Sequence, residues 1–244
     1  MTDVARLFSE DPARDERFDV KQRWLDLANY PDGDPRKDFE FFHRQMNEEI
    51  NGLENSARCL ADFPDADWEL RMQLARQCSD EARHVIMFRE VFERRGGQVG
   101  QFPVINFQYR IITKIDSLAG RMAVQNRSFE ADGLDAIRFG IDEARAKGDE
   151  ELATLFDAQL ADEINHVRFA NEWIHILAKR SPMTVIKIAR ALNDAQTAFL
   201  HAMEGGKADI RYDVSDEVRL EAGFDAGEVT AARETAAATR ASRP

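Results

Sequence analysis

Two copies of one short acidic signature contain side chains that could bind metal ions or take part in catalysis. They read Asp80-Glu81-Ala82-Arg83-His84 and Asp162-Glu163-Ile164-Asn165-His166. A further glutamate, Glu49 or Glu130, precedes each copy by 32 or 33 residues, counted to the glutamate of the signature. Residues three positions apart share one face of a helix, so each Glu-x-x-His pair presents a carboxylate and an imidazole together. One Glu from each of two helices and Glu-x-x-His from each of two others is the ligand layout of a two-metal site in a four-helix bundle.

The pattern therefore predicts six metal ligands. A single Glu or His on a buried helix face is usually a hydrogen-bonded structural group, but several buried carboxylates close together are very costly unless cations compensate them. A mixed oxygen and nitrogen shell suits iron or manganese, and copper and zinc stay compatible by affinity alone. We expect two metal ions, Fe/Fe or Mn/Fe. The predicted ligands are Glu49, Glu81, His84, Glu130, Glu163 and His166.

Three further carboxylates are predicted to surround the ligands. Metal-bound imidazoles normally donate their second N–H to an acceptor, so we expect Asp80 to pair with His166 and Asp162 with His84. Salt bridges to arginines on the solvent side are the alternative for both aspartates. Glu54 points about 140° away from Glu49 on a helix of 3.6 residues per turn, so it is expected beside the ligands and not among them. It is the reserve candidate because it directly follows Leu53 on the apolar stripe. The remaining histidines lack a paired carboxylate in this pattern and are not expected to be ligands.

Apolar residues at spacings of three and four predict the helices that position these groups. The first begins at Asp34-Pro35 and ends at Asp62-Phe63-Pro64, and the second ends at Gly96-Gly97. In both helices the predicted ligands lie on the apolar stripe. Asn47, Asn51 and Asn55 add an unusually polar face to the first helix, which indicates either a polar substrate pocket or a solvent-exposed side.

The second half of the chain repeats this organisation. A third helix carries Ile112 to Phe129 on its stripe with Glu130 at the edge, and 134–147 is predicted as a separate connecting helix. The fourth runs from about Leu152 to Leu177. A further amphipathic helix starts at Ser181-Pro182 and continues to about Met203.

The predicted fold is all-α: a ferritin-like four-helix bundle with an N-terminal extension and an additional C-terminal helix. Residues 1–36 are expected to wrap around the bundle, with a short helix near 20–29, residues 37–204 to form the bundle, and 205–244 to be a partly disordered extension. A hydrophobic content of 43% suffices for one sizeable core. The start of the chain shows no apolar leader, and we expect a cytoplasmic protein without membrane association.

The net charge and the cysteine content argue against a nucleic-acid-binding protein and against a disulfide-stabilised one. A net charge of −12 argues against a nucleic-acid partner, because such binding depends on neutralising phosphates. Cys59 and Cys78 are the only cysteines, and both fall within helical patterns, so they are expected to be packed free thiols.

At these residues the chain resembles the ferritin-like di-iron carboxylate superfamily. It is most similar to a bacterial branch of largely unassigned function that is related to the tRNA hydroxylases acting on a modified adenosine. The resemblance extends from about Phe39 to Phe224, and the stretches that carry it are the two signatures, 49–54, 129–135 and a later segment, 217–224.

The resemblance and the ligand set together imply a dinuclear-metal oxygenase or oxidase that uses dioxygen to oxidise a small organic substrate. The metal would perform the redox step. No Gly-rich cofactor signature is present, so electrons would come from an external reductase or from the substrate. We also expect a homodimer. The alternatives are an iron-handling or ferroxidase protein and a tRNA-modifying hydroxylase.

Overall fold

The computed structural model describes residues 3–205 and 212–241, and this part of the chain is mainly helical, with very little strand. The prediction of an all-α fold is confirmed. Two short strands, β1 (Val20–Lys21) and β2 (Val104–Ile105), pair in parallel. The helices are α1 (Arg36–Asp62), α2 (Trp68–Arg94), α3 (Phe107–Lys114), α4 (Leu118–Val124), α5 (Ala131–Ala146), α6 (Glu150–Arg180), α7 (Pro182–Ala202), α8 (Asp216–Glu221) and α9 (Ala226–Ala241), with a π-helical segment over Gln125–Glu130.

The chain divides into two compact units. One contains Met1–Arg121 and Lys187–Ala208, and the other contains Met122–Ile186 and Asp209–Pro244. Each unit carries one copy of the acidic signature. The domain boundaries predicted from the sequence, after residues 36 and 204, stay a prediction.

The first unit is built on α1 and α2, which begin and end close to the predicted signals. The Asp34 carboxylate accepts the backbone N–H of Arg36 and so caps α1. Gly96, with φ of +95°, follows α2, where a residue with a side chain would be strained. The predicted stripe of α2, from Leu70 through Val91, is buried throughout. Burial of this stripe fixes the direction in which its three polar members, Gln77, Glu81 and His84, point.

The predicted short helix near residues 20–29 is wrong. Val20 and Lys21 form β1, whose partners in β2 are Val104 and Ile105, and only Trp24–Asp26 makes a turn of 3₁₀-helix. The backbone N–H of Val104 also donates to the carbonyl of Asp19 at 2.9 Å. A segment this short gains more from such tertiary hydrogen bonds than from an isolated helix, which is marginal in water.

The third predicted helix is interrupted, and the break lies earlier than expected. It falls between α3 and α4. There Arg121 donates hydrogen bonds to the backbone carbonyls of Ile115 and Thr113, which have no partner within α3 because the helix ends. From Leu118 the chain stays helical through Ala146, so residues 134–147 are not a separate connecting helix. The π-helical segment lies within this stretch and ends at Glu130.

The second unit contains the π-helical segment, α5 and α6, followed by the start of α7 and by α8 and α9. Asp149 caps α6 by accepting the N–H of Leu152. The composition of residues 205–244 predicts partial disorder. Residues 206–211 and 242–244 lie outside the described part of the chain. Residues 226–241 form α9, an alanine-rich helix in keeping with the high helix propensity of alanine. Val229 on α9 is buried.

Among the described helices, none has a stretch apolar and long enough to cross a bilayer.

Candidate metal centre

Three of the predicted ligands meet in the first unit. Glu49 comes from α1, and Glu81 and His84 come from α2. One ligand atom from each lies within 4.8 Å of those of the other two. His84 Nδ1 is 3.2 Å from Glu49 Oε2 and 3.5 Å from Glu81 Oε2. The side chains are buried, with His84 fully enclosed, so the two carboxylates lie where water cannot easily compensate their charge.

A glycine allows the Glu81 carboxylate to approach α1. A Cβ at Gly52 would lie 2.8 Å from both Cδ and Oε1 of Glu81, closer than real side chains come. Gln77, one turn before Glu81 on α2, donates its amide to Glu81 Oε1 at 3.3 Å. The carboxylate is thus oriented by an amide on its own helix and by the bare backbone of α1.

The other three predicted ligands meet in the second unit. Glu130 ends the π-helical segment, and Glu163 and His166 lie one turn apart on α6. One ligand atom from each again lies within 4.8 Å of those of the other two. His166 Nδ1 is 3.1 Å from Glu163 Oε2. Each unit therefore presents two carboxylates and one imidazole converging on a small volume.

Two amides of the π-helical segment hold the Glu130 carboxylate. Gln125 donates to Glu130 Oε1 at 3.1 Å, and Asn126 donates to Glu130 Oε2 at 2.8 Å. Asn126 also donates to the backbone carbonyl of His166 at 3.4 Å. Through Asn126 the segment is linked to the helix that carries the other two ligands.

The donor set fits divalent metal ions. Two carboxylates and one imidazole per triad provide the oxygen and nitrogen shell that iron and manganese accept. Each ligand histidine has Nδ1 within hydrogen-bond distance of a triad carboxylate, so the nitrogen on the carboxylate side is the one placed to ligate. The assignment of these six residues as ligands stays a prediction that the geometry supports.

Sequence reasoning did not assign roles to the amides that touch the ligands. A usable signal was present, because both signatures extend backwards by one turn: Gln77 stands four residues before Glu81, and Gln159 stands four before Glu163. Both glutamines are buried on the same stripe as the ligands. The full repeat is therefore Gln-x-x-Asp-Glu-x-x-His. Gln125 and Asn126 carried no comparable signal, because their role depends on the π-helical geometry.

The aspartates expected behind the histidines have different surroundings. Asp80 is buried and has Arg83 at 3.3 Å and Arg76 at 3.5 Å, both on its own helix. These are the solvent-side arginine contacts weighed as the alternative. Asp162 is half-buried. The pairing of either aspartate with a histidine stays a prediction.

Glu54, the reserve candidate, belongs to another network. Arg14, from the N-terminal segment, places Nη1 2.7 Å from both carboxylate oxygens of Glu54. The same guanidinium reaches the side-chain oxygens of Asn47 at 3.2 Å and Asn51 at 3.4 Å. The asparagine face of α1 is buried, so it is not a solvent-exposed side, and two of its members help to seat Arg14.

Neither the remaining buried histidine nor the cysteines join the two triads. His43 accepts the backbone N–H of Gly100 at Nε2, at 2.8 Å, and packs against the rings of Phe92 and Phe102. Burial lowers the pKa of His43 from 6.5 to about 4, which keeps it neutral. Cys59 and Cys78 are free thiols, and burial raises the pKa of each to about 11.

Comparison with known protein families gives a match over residues 3–230 to a family described as protein of unknown function (DUF455). The chain belongs to this family. Two curated bacterial proteins are also similar to it. A bacterioferritin of Streptomyces coelicolor is 29% identical over 149 residues, which is 60% of this chain and 84% of the relative.

An uncharacterized protein of Haemophilus influenzae is 29% identical over 122 residues, half of this chain, and the match spans only 40% of that relative's length. No solved structure matches the chain significantly. The similarity to a bacterioferritin, together with the buried carboxylate and histidine clusters, supports a ferritin-like metal site.

Proposed function

We propose that this protein is a dinuclear-metal oxidoreductase that uses dioxygen to oxidise a small organic substrate. The observation that carries the proposal is the repeated triad. Two carboxylates and one imidazole converge in each unit, on helices whose sequence is also repeated, and all of these side chains are buried except Glu130, which is half-buried. Two such triads are the complete ligand set of one dinuclear site under the four-helix-bundle rule. The proposed metals are iron, or manganese with iron.

When bound, a pair of redox-active metal ions supplies the electrons and the open coordination positions that dioxygen chemistry needs. The chain's own residues supply binding and orientation. Glu49, Glu81 and His84 would hold one ion, and Glu130, Glu163 and His166 would hold the other. Gln77 and Gln125 fix carboxylate rotamers by donating amide hydrogens. Five of the six ligands are buried and Glu130 is half-buried, which restricts access of bulk water to the site.

Metal analysis of single-ligand variants tests the site. Glu81→Ala and His166→Ala should each lose most of the metal bound by the affected triad, because each leaves that triad with only two donors. Glu90→Ala and His175→Ala are matched controls, since both residues are exposed on the same two helices. Metal content is measured by inductively coupled plasma mass spectrometry, with anomalous scattering at the iron and manganese edges. Two metal ions per chain in both ligand variants would refute the assignment.

A second function is favoured by one observation, the similarity to a bacterioferritin over most of that protein's length. On this alternative the chain handles iron and oxidises it without an organic substrate. Oxygen-electrode measurements with Fe²⁺ alone, and with reductant plus candidate small molecules, separate the two functions. Uptake of many irons per chain supports iron handling and contradicts the oxidoreductase, whereas dioxygen consumption coupled to formation of an oxidised organic product supports the oxidoreductase.

A further inference from the structure

The π-helical segment that carries Glu130 is held in its middle by elements far from it in sequence. Arg127 donates to the side-chain oxygen of Asn171 on α6 at 2.6 Å, and it pairs with Glu228 on α9. Its guanidinium carbon lies 4.8 Å from the centre of the Phe224 ring. The segment is thus tied both to the helix of Glu163 and to the C-terminal part of the unit.

A second arginine holds the chain just after Glu130. Arg219 on α8 donates to Asp135 Oδ2 from two nitrogens, at 2.6 and 3.0 Å, and to Asp132 at 3.0 Å. The backbone N–H of Ser215 adds a bond of 2.9 Å to Asp135. Arg219 and Asp135 are 5% and 2% exposed, so removing Arg219 would leave the buried Asp135 carboxylate without its cation.

One ring joins these two contacts. Phe224 lies beneath Arg127 and also beneath Arg219, whose guanidinium carbon is 5.6 Å from the ring centre. Arg219, Phe224 and Glu228, which we call the C-terminal clamp, therefore act on both sides of Glu130. They hold Arg127 three residues before it, and Asp132 and Asp135 shortly after it.

We propose that the C-terminal clamp positions the Glu130 carboxylate for metal binding. The inference rests on the proposed metal site. A π-helical turn contains one more residue than an α-helical turn, and such turns are rare and short. If the segment relaxed to α-helix, one residue would have to shift along it, a rotation of about 100°. Glu130 would then leave α6, and the amides of Gln125 and Asn126 would lose their geometry with it. Contacts that fix the chain before and after Glu130 prevent this shift.

Metal titration of an Arg219→Gln variant of the full chain tests the clamp. Metal-free protein is titrated with Co²⁺ under anaerobic conditions and followed by absorption spectroscopy and calorimetry. The wild type should take up two ions. The variant should bind one ion with wild-type affinity, at the triad of the first unit, and the other at least tenfold more weakly. Arg233→Gln is the matched control, because it removes an exposed ion pair with Asp216 in the same region.

Hydrogen exchange separates positioning from general loss of stability. In Arg219→Gln the amides of 125–130 should exchange faster while those of α1 and α2 keep their wild-type protection. A folded variant that binds both ions with wild-type affinity would overturn the clamp and leave the metal site standing. A wild type that binds no Co²⁺ would instead overturn the proposed function.

If Arg219→Gln does not fold, Glu228→Gln provides the same test from a half-buried position, with a smaller weakening of one ion expected. Unchanged affinity for both ions in Glu228→Gln would then overturn the clamp.

Discussion

The residue that most constrains the first triad is a glycine without chemistry of its own. Gly52 lets the Glu81 carboxylate lie against the backbone of α1, and an alanine Cβ would stand 2.8 Å from it. The atoms in the way are the far end of a flexible side chain, so the conflict is relieved by moving the carboxylate and not the helix. An alanine at position 52 would therefore change the stability of the fold little, but it would displace the Glu81 carboxylate from the first triad.

We therefore expect Gly52→Ala to keep its fold and to lose at least tenfold in affinity for the metal ion of the first unit. Gly133→Ala is the control, since a Cβ there meets nothing within 4 Å. Replacing that helical glycine by alanine should raise the free energy of unfolding by about 0.5–1 kcal/mol without affecting metal. Metal titration and urea unfolding of both variants provide the measurement. Equal metal affinity in the two variants would contradict the role of Gly52.

His43 gives the fold a pH dependence. The folded chain binds a proton at His43 only near pH 4, whereas an unfolded chain does so near 6.5. Between these values the unfolded state binds more protons, so the stability contribution is complete above about pH 6.5 and is lost as pH falls through 4. Protonation at Nε2 would also remove the hydrogen bond from Gly100.

His43→Phe should accordingly flatten the acid side of the stability profile. The wild type should lose up to about 3 kcal/mol between pH 6.5 and 4 through this group alone, and the variant should lack that part of the slope even if it is less stable at pH 7. Urea unfolding at several pH values measures this difference. Parallel profiles of the two proteins would show that His43 is not the titrating group.

At the scale of elements, Arg14 fastens the N-terminal segment to α1. Its side chain is 5% exposed, and it serves Glu54, Asn47 and Asn51 at once. Arg14→Ala should cost about 2 kcal/mol, because the asparagine oxygens lose a charged donor while Glu54, 27% exposed, can still reach water. The loss should be accompanied by faster proteolysis before α1.

Arg17→Ala is the matched control for Arg14, since Arg17 pairs with Asp15 at an exposed position. Its effect should stay within about 0.5 kcal/mol. Urea unfolding and limited trypsin digestion, with mapping of the first cleavage sites, measure both variants. Similar losses in the two would mean that the buried network does not fasten the segment.

At the scale of the whole molecule, electrostatic repulsion within the two ligand sets lowers the free energy of unfolding of the metal-free protein. Several buried carboxylates without cations oppose folding, and ions that bind only the folded chain reverse this. Each metal ion at 100 times its Kd should stabilise the protein by about 2.7 kcal/mol, and a chelator should lower the Tm correspondingly. Differential scanning calorimetry with and without Fe²⁺ or Mn²⁺ tests this expectation.

Glu81→Gln refines this measurement because the amide keeps the shape and removes the charge. The metal-free variant should melt at a higher temperature than the metal-free wild type, and it should gain little from added metal. A lower Tm for the metal-free variant would indicate that the Glu81 carboxylate stabilises the fold by itself.

The sequence by itself determined the all-α class, the bounds of α1, α2 and α6 to within a few residues, and the residues that form each triad. Those features follow from local periodicity and from capping residues such as Asp34 and Asp149, which act within one or two turns of the chain. The repeat also placed each Glu-x-x-His pair on a buried stripe, because residues three apart share a helix face.

Only the tertiary structure decided the π-helical segment, the amides that hold Glu130, the strand pairing of β1 with β2, and the arginine networks of Arg14 and Arg219. The strand pairing and the arginine networks join residues tens of positions apart, whose proximity no local pattern encodes. The amides of Gln125 and Asn126 are only five and four residues from Glu130, but they reach its carboxylate through the π-helical geometry. A π-helical turn is less favourable than an α-helical one, so surrounding contacts and not intrinsic propensity have to sustain it. For that reason the glutamates could be predicted from their spacing, whereas the geometry that aims Glu130 could not.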